Sequence, residues 1–229
     1  MDSNGKKIKA SLRVLLLNND WDTLDAVIRE ISPRKLVNPL FSFLYDTNEL
    51  LKWRAITMMG RVTARLAEQD IESARIVMRR LIWNLNDESG GIGWGSAEAM
   101  GEIMSQHEGL AKEYSGILRS YIRKDENYLE HEILQRGVIW GIGRLAQVRP
   151  QYLNHTDFHL LGFLQSSDAV HRGFAAWALG NLGSLQAIAL MQKLRLDDEK
   201  ILLYRDLQLD VIPVCRLISE ALNKIQHFM

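Results

Sequence analysis

The amino-acid sequence predicts an all-α protein built from stacked pairs of helices. A nine-residue segment that ends in glycine recurs four times, and the closing glycines are 41, 42 and 37 residues apart, at Gly60, Gly101, Gly143 and Gly180. A period of about 40 residues, without strand patterns between the copies, is typical of helix-pair repeats. We therefore expect a right-handed α-α superhelix of about five helix pairs, with residues 1–229 forming one repeat domain.

The helical spacing of apolar residues predicts four helices before residue 70. Asp20 or Asp22 is expected to cap the second helix, and Pro33 ends it because proline cannot continue a helix. The third helix is expected to bend near Pro39, and the fourth carries the first copy of the repeat. The second helix carries apolar residues at Leu24, Val27, Ile28 and Ile31, and the other predicted ranges are 7–18, 34–45 and 48–68.

The middle of the chain continues the helical pattern after one long loop. A helix is predicted over 70–85, and its buried face is expected to contain Ile71, Ala74, Val77, Met78 and Leu81. Four glycines within residues 90–95 predict a loop over 87–95, because glycine opposes regular structure. Asp168 is expected to be an N-cap. Further helices are predicted at 96–106, 110–123, 130–148, 157–165, 168–182 and 185–194.

The C-terminal segment departs from the repeat. Residues 200–212 are rich in β-forming side chains with partial alternation of apolar and polar residues, which predicts a short hairpin. Pro213 then leads into a last helix that ends near Gln226. We expect the clearest repeats within 34–195 and an atypical cap over 196–229, because a terminal unit must cover the end of the stack.

Composition excludes several classes of protein. Twenty-eight basic residues balance 28 acidic ones, so no overall positive field attracts nucleic acid or anionic lipid. The single Cys215 excludes an internal disulfide, which suits a reducing compartment. No signal peptide and no apolar run long enough to span a bilayer is found, so a cytoplasmic location is expected.

The fourth copy of the repeat carries a family resemblance. Residues Arg172 to Gly183 read RGFAAWALGNLG and follow Asp168. This pattern resembles the second helix of a HEAT repeat of the phycobilisome-lyase-like type, and the other copies match at the small residues and the closing glycine. The resemblance implies an armadillo-type superhelix from a bacterial family. Such repeats serve as scaffolds, inhibitors, lyase subunits and occasionally enzymes, so the resemblance is informative about fold more than function.

One side of the second helices is predicted to form a stripe that faces away from the core. Relative to each closing glycine, positions −7, −3 and +1 lie one turn apart, opposite the packing positions. Together with Glu132, they give the candidate binding residues of the concave face: Trp53, Arg61, Trp94, Glu98, Glu102, Arg136, Trp140, Arg144, Trp177 and Asn181. Tryptophan and arginine are enriched at binding hot spots, which favours a recognition groove. The alternative is that these residues pack between helices and form salt bridges between repeats.

The most direct functional prediction is a non-enzymatic scaffold that binds a protein or peptide partner through the stripe. A first alternative is a lyase-like or cofactor-handling subunit that holds a small ligand there. A second is a nucleic-acid-binding solenoid of the alkylpurine glycosylase kind, although zero net charge argues against it.

No catalytic residue, metal site or cofactor is predicted. The two His-Glu pairs, at 107–108 and 131–132, resemble the iron-binding pairs of deoxyhypusine hydroxylase, which has a similar repeat. That family uses four such pairs at matched positions, and these two differ in register relative to their glycines.

Overall fold

The structure is a computed structural model that describes residues 3–18, 20–87 and 93–228. In these residues the protein consists of α-helices, short 3₁₀ turns and one β-hairpin, so the predicted all-α fold class and the predicted hairpin are confirmed. The chain divides into two compact units, Met1–His107 and Glu108–Met229, which are described separately. The expectation of a single repeat domain stays a prediction.

The first unit contains six helices among its described residues. Helices α3 and α4 pack against each other as a helix pair, and α4 also packs on both α5 and α6. Residues 88–92 of the predicted glycine loop lie outside the described residues. The helices are α1 (Ser3–Leu17), α2 (Trp21–Glu30), α3 (Pro33–Phe43), α4 (Glu49–Gln69), α5 (Ile71–Leu85) and α6 (Ser96–Gln106).

Polar side chains set the starts of three of these helices. Asp20 caps α2 by accepting a hydrogen bond from the Thr23 backbone N–H, which decides between the two candidates in favour of Asp20. Asn48 caps α4 and Asp70 caps α5 in the same way. Each cap satisfies an N–H group that has no partner within its helix.

The second unit is centred on α10, which packs against both α8 and α12. Two predicted helices are shorter than expected, because 3₁₀ turns at Leu161–Gln165 and Leu185–Ala187 replace part of each. Asp168 caps α10 as predicted, accepting from the Val170 N–H at 2.8 Å. The helices are α7 (Glu108–Ser120), α8 (Glu132–Val148), α9 (Thr156–Leu160), α10 (Ala169–Leu182), α11 (Ile188–Lys193) and α12 (Val214–Gln226).

The hairpin pairs β1 (Lys200–Arg205) with β2 (Gln208–Pro213) in antiparallel register. Asp206 and Leu207 form its two-residue turn, and both have positive φ values of 50° and 65°, as tight hairpin turns require. β1 lies against α10. The contact is close at Gly173, where an added Cβ would come within 2.4 Å of Ile201 Cδ1.

The closing glycines of the repeat explain how neighbouring second helices approach each other. A Cβ added to Gly60 would lie 2.6 Å from Glu102 Cγ, and one added to Gly143 would lie 2.6 Å from the Trp177 ring. At Gly180 the same atom would lie 2.7 Å from the Cα atom of Ala221. Any larger residue at these three positions would push the next helix away, so packing accounts for glycine at three of the four closing positions.

Among the described residues, every helix is too short or too polar to cross a bilayer.

Candidate functional site

The predicted stripe is only partly accessible, which corrects the expectation that its tryptophans face away from the core. Trp53, Trp140 and Trp177 are 5%, 1% and 8% exposed. The second helices are covered on most sides, so the positions opposite the packing face are themselves buried. For these three residues the structure therefore favours the alternative that they pack between helices.

In the second unit the chain's own hairpin covers the stripe. Trp140 Nε1 donates a hydrogen bond to the Tyr204 carbonyl oxygen of β1 at 2.9 Å. The Trp140 ring centroid lies 6.0 Å from that of Trp177, which rests against Gly143. Asn181 is 5% exposed; its Nδ2 donates to the Gly143 carbonyl at 2.9 Å and its Oδ1 accepts from Lys224 Nζ at 2.8 Å. These groups hold α8, α10, β1 and α12 together.

Two charged stripe residues of the first unit have partners within the chain. Arg61 lies 2.5 Å from the Asp25 carboxylate, and its guanidinium lies 5.1 Å from the centroid of the Trp21 ring. Glu102 is 3% exposed and accepts a hydrogen bond from Gln106 at 2.9 Å. Arg61 therefore forms an ion pair within the unit, and Glu102 is buried with a hydrogen bond from its own helix.

The charged stripe residues of α8 are more accessible than its tryptophan. Arg136 donates to Asp168 at 2.6 Å while 39% of its side chain stays exposed. Arg144 is half-buried and donates to Gln147 at 3.2 Å, and Glu132 is exposed. Of the predicted residues in this unit, these three remain available for contact with a partner.

A serine, a histidine and an aspartate meet at the start of α10, an arrangement that sequence reasoning missed. Ser166 Oγ lies 3.1 Å from His171 Nδ1, and His171 Nε2 lies 3.7 Å from Asp168 Oδ2 but 3.2 Å from the Glu132 carbonyl oxygen. Burial raises the pKa of Asp168, yet the hydrogen bonds from Arg136 and the Val170 N–H outweigh it and leave the pKa below its usual value. Asp168 is already engaged by the Arg136 guanidinium and by the N–H group that it caps. We therefore interpret this cluster as stabilising the start of α10 rather than as a catalytic triad.

Trp94 is the most accessible residue of the predicted stripe in the first unit, and Glu98 follows it in sequence. Trp94 is 42% exposed, and Glu98 is half-buried in the first turn of α6. Burial raises the pKa of Glu98; the charge of Lys52 on α4 opposes this effect and the charge of Glu49 adds to it. We call Glu49, Lys52, Trp94 and Glu98 the α6 site.

Lys52 in the α6 site already has partners within the chain. Its ammonium lies 2.7 Å from the Glu49 carboxylate and 5.5 Å from the centroid of the Trp53 ring. Among the described residues, no side chain donates a hydrogen bond to the Glu98 carboxylate, and Lys52 acts on it through its charge alone. The site therefore combines an accessible indole with a carboxylate that receives no side-chain hydrogen bond.

The second unit contains a surface cavity of about 540 Å³, a size that suits a small ligand. Two separate stretches of the chain build it, residues 122–135 and 158–171, so no local sequence pattern indicated it. Exposed Lys124 and Glu132 lie at its edge, while Phe163 and His171 are buried. The lining residues are Ile122, Lys124, Asp125, Tyr128, Glu132, Gln135, Phe158, His159, Gly162, Phe163, Ser166 and His171.

Within the described part of the chain, no group of three or more His, Cys, Asp or Glu residues is arranged to hold a metal ion. In the first of the two His-Glu sequence pairs, His107 Nε2 lies 3.6 Å from the Glu68 carboxylate. Glu108 instead accepts a hydrogen bond from the Tyr152 hydroxyl at 2.8 Å.

Comparison of whole folds places the chain beside engineered repeat proteins. An engineered protein solved by the Northeast Structural Genomics Consortium gives a TM-score of 0.57 at 17% identity, covering 99% of this chain and 98% of its own. A designed armadillo repeat protein in complex with the peptide (KR)4 gives a TM-score of 0.53 at 15% identity, covering 94% and 98%. At these identities the likeness shows the fold alone.

Comparison of sequences identifies the repeat. A family model described as a HEAT-like repeat matches residues 132–182. An uncharacterised protein of Archaeoglobus fulgidus is 30% identical over 157 residues, which are 68% of this chain and 77% of the relative. The likeness to phycobilisome lyases and the bacterial origin stay predictions. The chain therefore belongs to the same family as this archaeal protein and contains a HEAT-like repeat over residues 132–182.

Proposed function

We propose that this protein is a non-enzymatic interaction module that binds a basic segment of a protein partner at the α6 site. The observation that carries the proposal is the accessible Trp94 close in sequence to the half-buried Glu98, whose carboxylate receives no hydrogen bond from another described side chain. The general role as an interaction module agrees with the repeat fold.

The chemistry of the α6 site suits a lysine or arginine side chain. A cation over an indole face gains about 0.5–2 kcal/mol, depending on how far it is desolvated. Glu49 and Glu98 carry two negative charges against the one positive charge of Lys52, so the site has a net charge of −1 when both are ionised. A bound cation would favour the ionised form of Glu98 and so lower its pKa.

The fold comparison supports the same class of partner. The designed armadillo protein that shares this fold was solved with a peptide described as (KR)4. Its sequence is only 15% identical, so it supports binding of basic peptides by this type of fold and says nothing of the individual side chains.

The test uses an octapeptide of alternating lysine and arginine, titrated calorimetrically into the wild type and two variants. Trp94→Ala and Glu98→Gln should each weaken binding by about tenfold, the effect of losing a hot-spot contact. Trp83→Ala and Glu30→Gln, which change an exposed tryptophan and an exposed glutamate elsewhere in the same unit, should leave the affinity unchanged. Equal affinity in the wild type and both α6-site variants would refute the proposal.

A second candidate, a subunit that holds a small ligand, rests on the 540 Å³ cavity of the second unit. Its buried aromatic and histidine side chains suit a planar molecule, and Lys124 and Glu132 could pair with charges on it. Thermal-shift screening against a panel of aromatic cofactors tests this candidate. A rise in melting temperature that disappears in Phe163→Ala, measured relative to that variant's own baseline, would favour it over the α6 proposal.

A further inference from the structure

We infer that the outer face of α5 is a second interaction surface, and that its partner is an acidic amphipathic helix. This surface, defined by Ile76, Arg79, Arg80 and Trp83, does not include any residue of the α6 site. The inference stands on its own observations and does not depend on the proposed function.

The first observation is the exposure of large apolar side chains on this helix. Ile76 is 58% exposed and Trp83 is 62% exposed, although a helix in a repeat array normally keeps such side chains in the core. The opposite side of α5 supplies the core, as the sequence predicted, with Ala74, Val77, Met78 and Leu81 buried. The apolar character of the outer face is therefore additional to what folding of the first unit needs.

The second observation is that these side chains line one face. Ile76, Arg79 and Trp83 follow the i, i+3, i+7 spacing that brings side chains together on a helix surface. The two apolar residues are two turns apart, or about 10 Å along the helix axis. A partner helix laid along α5 can place its own apolar residues against both at once.

The third observation concerns charge. Arg75 on the same helix lies 2.5 Å from the Glu72 carboxylate. Arg79 is exposed and, within the residues that the structure describes, is not paired with a carboxylate. Arg80 is also without a carboxylate there: it donates to the Asn38 side-chain oxygen at 2.7 Å and stacks 3.8 Å from the centroid of the Phe41 ring.

Those contacts determine the chemistry of the partner. Asn38 and Phe41 hold the Arg80 guanidinium in place without neutralising it, so the outer face presents two positive charges beside two apolar anchors. Acidic residues flanking an apolar stripe complement this arrangement, and tryptophan with arginine is the combination most enriched at hot spots.

A second copy of this chain suits the surface less well. Antiparallel two-fold pairing centred midway between Ile76 and Trp83 would set Arg79 of each copy against Arg80 of the other, because such an interface uses the same surface on both sides. Like charges in that position oppose association. A heterologous acidic helix meets no such repulsion.

The experiment uses two acidic peptides of identical composition and about 18 residues, long enough for several helical turns. In one, leucines at i, i+3 and i+7 line a single helix face; in the other, the same leucines are scattered. Binding to the full chain is measured by fluorescence anisotropy of labelled peptides. We expect the amphipathic peptide to bind at least tenfold more tightly than the scattered one.

Variants locate the binding surface. Trp83→Ala and Arg79→Glu should each weaken binding of the amphipathic peptide by about tenfold. Trp94→Ala, which removes the exposed indole of the α6 site, and Arg195→Glu, which makes the same charge change at an exposed position of the second unit, should leave it unchanged. The basic octapeptide should bind Trp83→Ala as it binds the wild type, so failure of this inference is distinguishable from failure of the proposed function.

Three outcomes would overturn the inference. The first is equal binding of the two acidic peptides, and the second is unchanged affinity in Trp83→Ala and Arg79→Glu. The third is concentration-dependent self-association of the wild type that is lost in Trp83→Ala, because it would assign the outer face to a second copy. Sedimentation velocity of both proteins detects this last outcome.

Discussion

Replacing Trp140 by alanine should lower the melting temperature strongly, although sequence analysis placed this residue on an exposed stripe. Its indole is 1% exposed, donates to the Tyr204 carbonyl at 2.9 Å and lies 6.0 Å from the Trp177 ring, measured between centroids. Truncating a buried tryptophan costs about 3–5 kcal/mol. In a chain of this length each kcal/mol lowers the melting temperature by about 2–4 °C, so we expect a fall of about 6–20 °C.

Trp140→Phe separates the hydrogen bond from the packing. Phenylalanine keeps an aromatic ring but leaves the Tyr204 carbonyl without its donor, at a cost of about 1–3 kcal/mol. Thermal unfolding followed by far-ultraviolet circular dichroism measures both variants, with Trp94→Ala as the control at a partly exposed indole. The reasoning is refuted if Trp140→Ala melts within about 2 °C of the wild type, the scale of an ordinary surface substitution.

Three further predictions concern packing and pH. Gly180→Ala should destabilise the protein by about 1–3 kcal/mol in urea unfolding, because the new Cβ would lie 2.7 Å from Ala221 Cα, whereas Gly162→Ala, with open space around its position, should not. The raised pKa of Glu98 means that the unfolded carboxyl ionises first, so the free energy of unfolding should fall as pH rises above 4.5; Glu98→Gln should remove this decrease. The pKa of Asp168 is lowered in the folded state, so its contribution to the free energy of unfolding is present above pH 3.8 and is lost as pH falls through the folded-state pKa. In a profile of unfolding free energy against pH, Asp168→Asn should therefore lose part of the decrease at acid pH.

The fold could be predicted from the sequence because its signals are local. The capping side chains and the apolar spacing each act within one or two turns, and the glycine period is readable directly from the sequence; together they located α5, α6 and the hairpin closely. The apolar spacing of α5 also left Ile76 and Trp83 opposite the predicted core, so the outer face was implied by the pattern although sequence analysis did not single it out.

The candidate site could not be predicted in the same way. Trp140 is in contact with β1, where the Tyr204 carbonyl, 64 residues further along the chain, accepts its N–H group. No periodicity within α8 indicates that contact. The cavity of the second unit likewise draws its lining from two stretches of the chain, residues 122–135 and 158–171. Helical periodicity indicates which residues share a face, but whether another segment covers that face is decided by tertiary packing.

The close approach of Trp177 to Gly143 has a consequence for how this family diverges. A residue with a side chain at position 143 would overlap the indole ring, since an added Cβ already lies 2.6 Å from it. We therefore expect the two positions to vary together, so that relatives with alanine or serine at the first carry a smaller side chain at the second. Engineered versions with altered repeats would have to exchange both residues together.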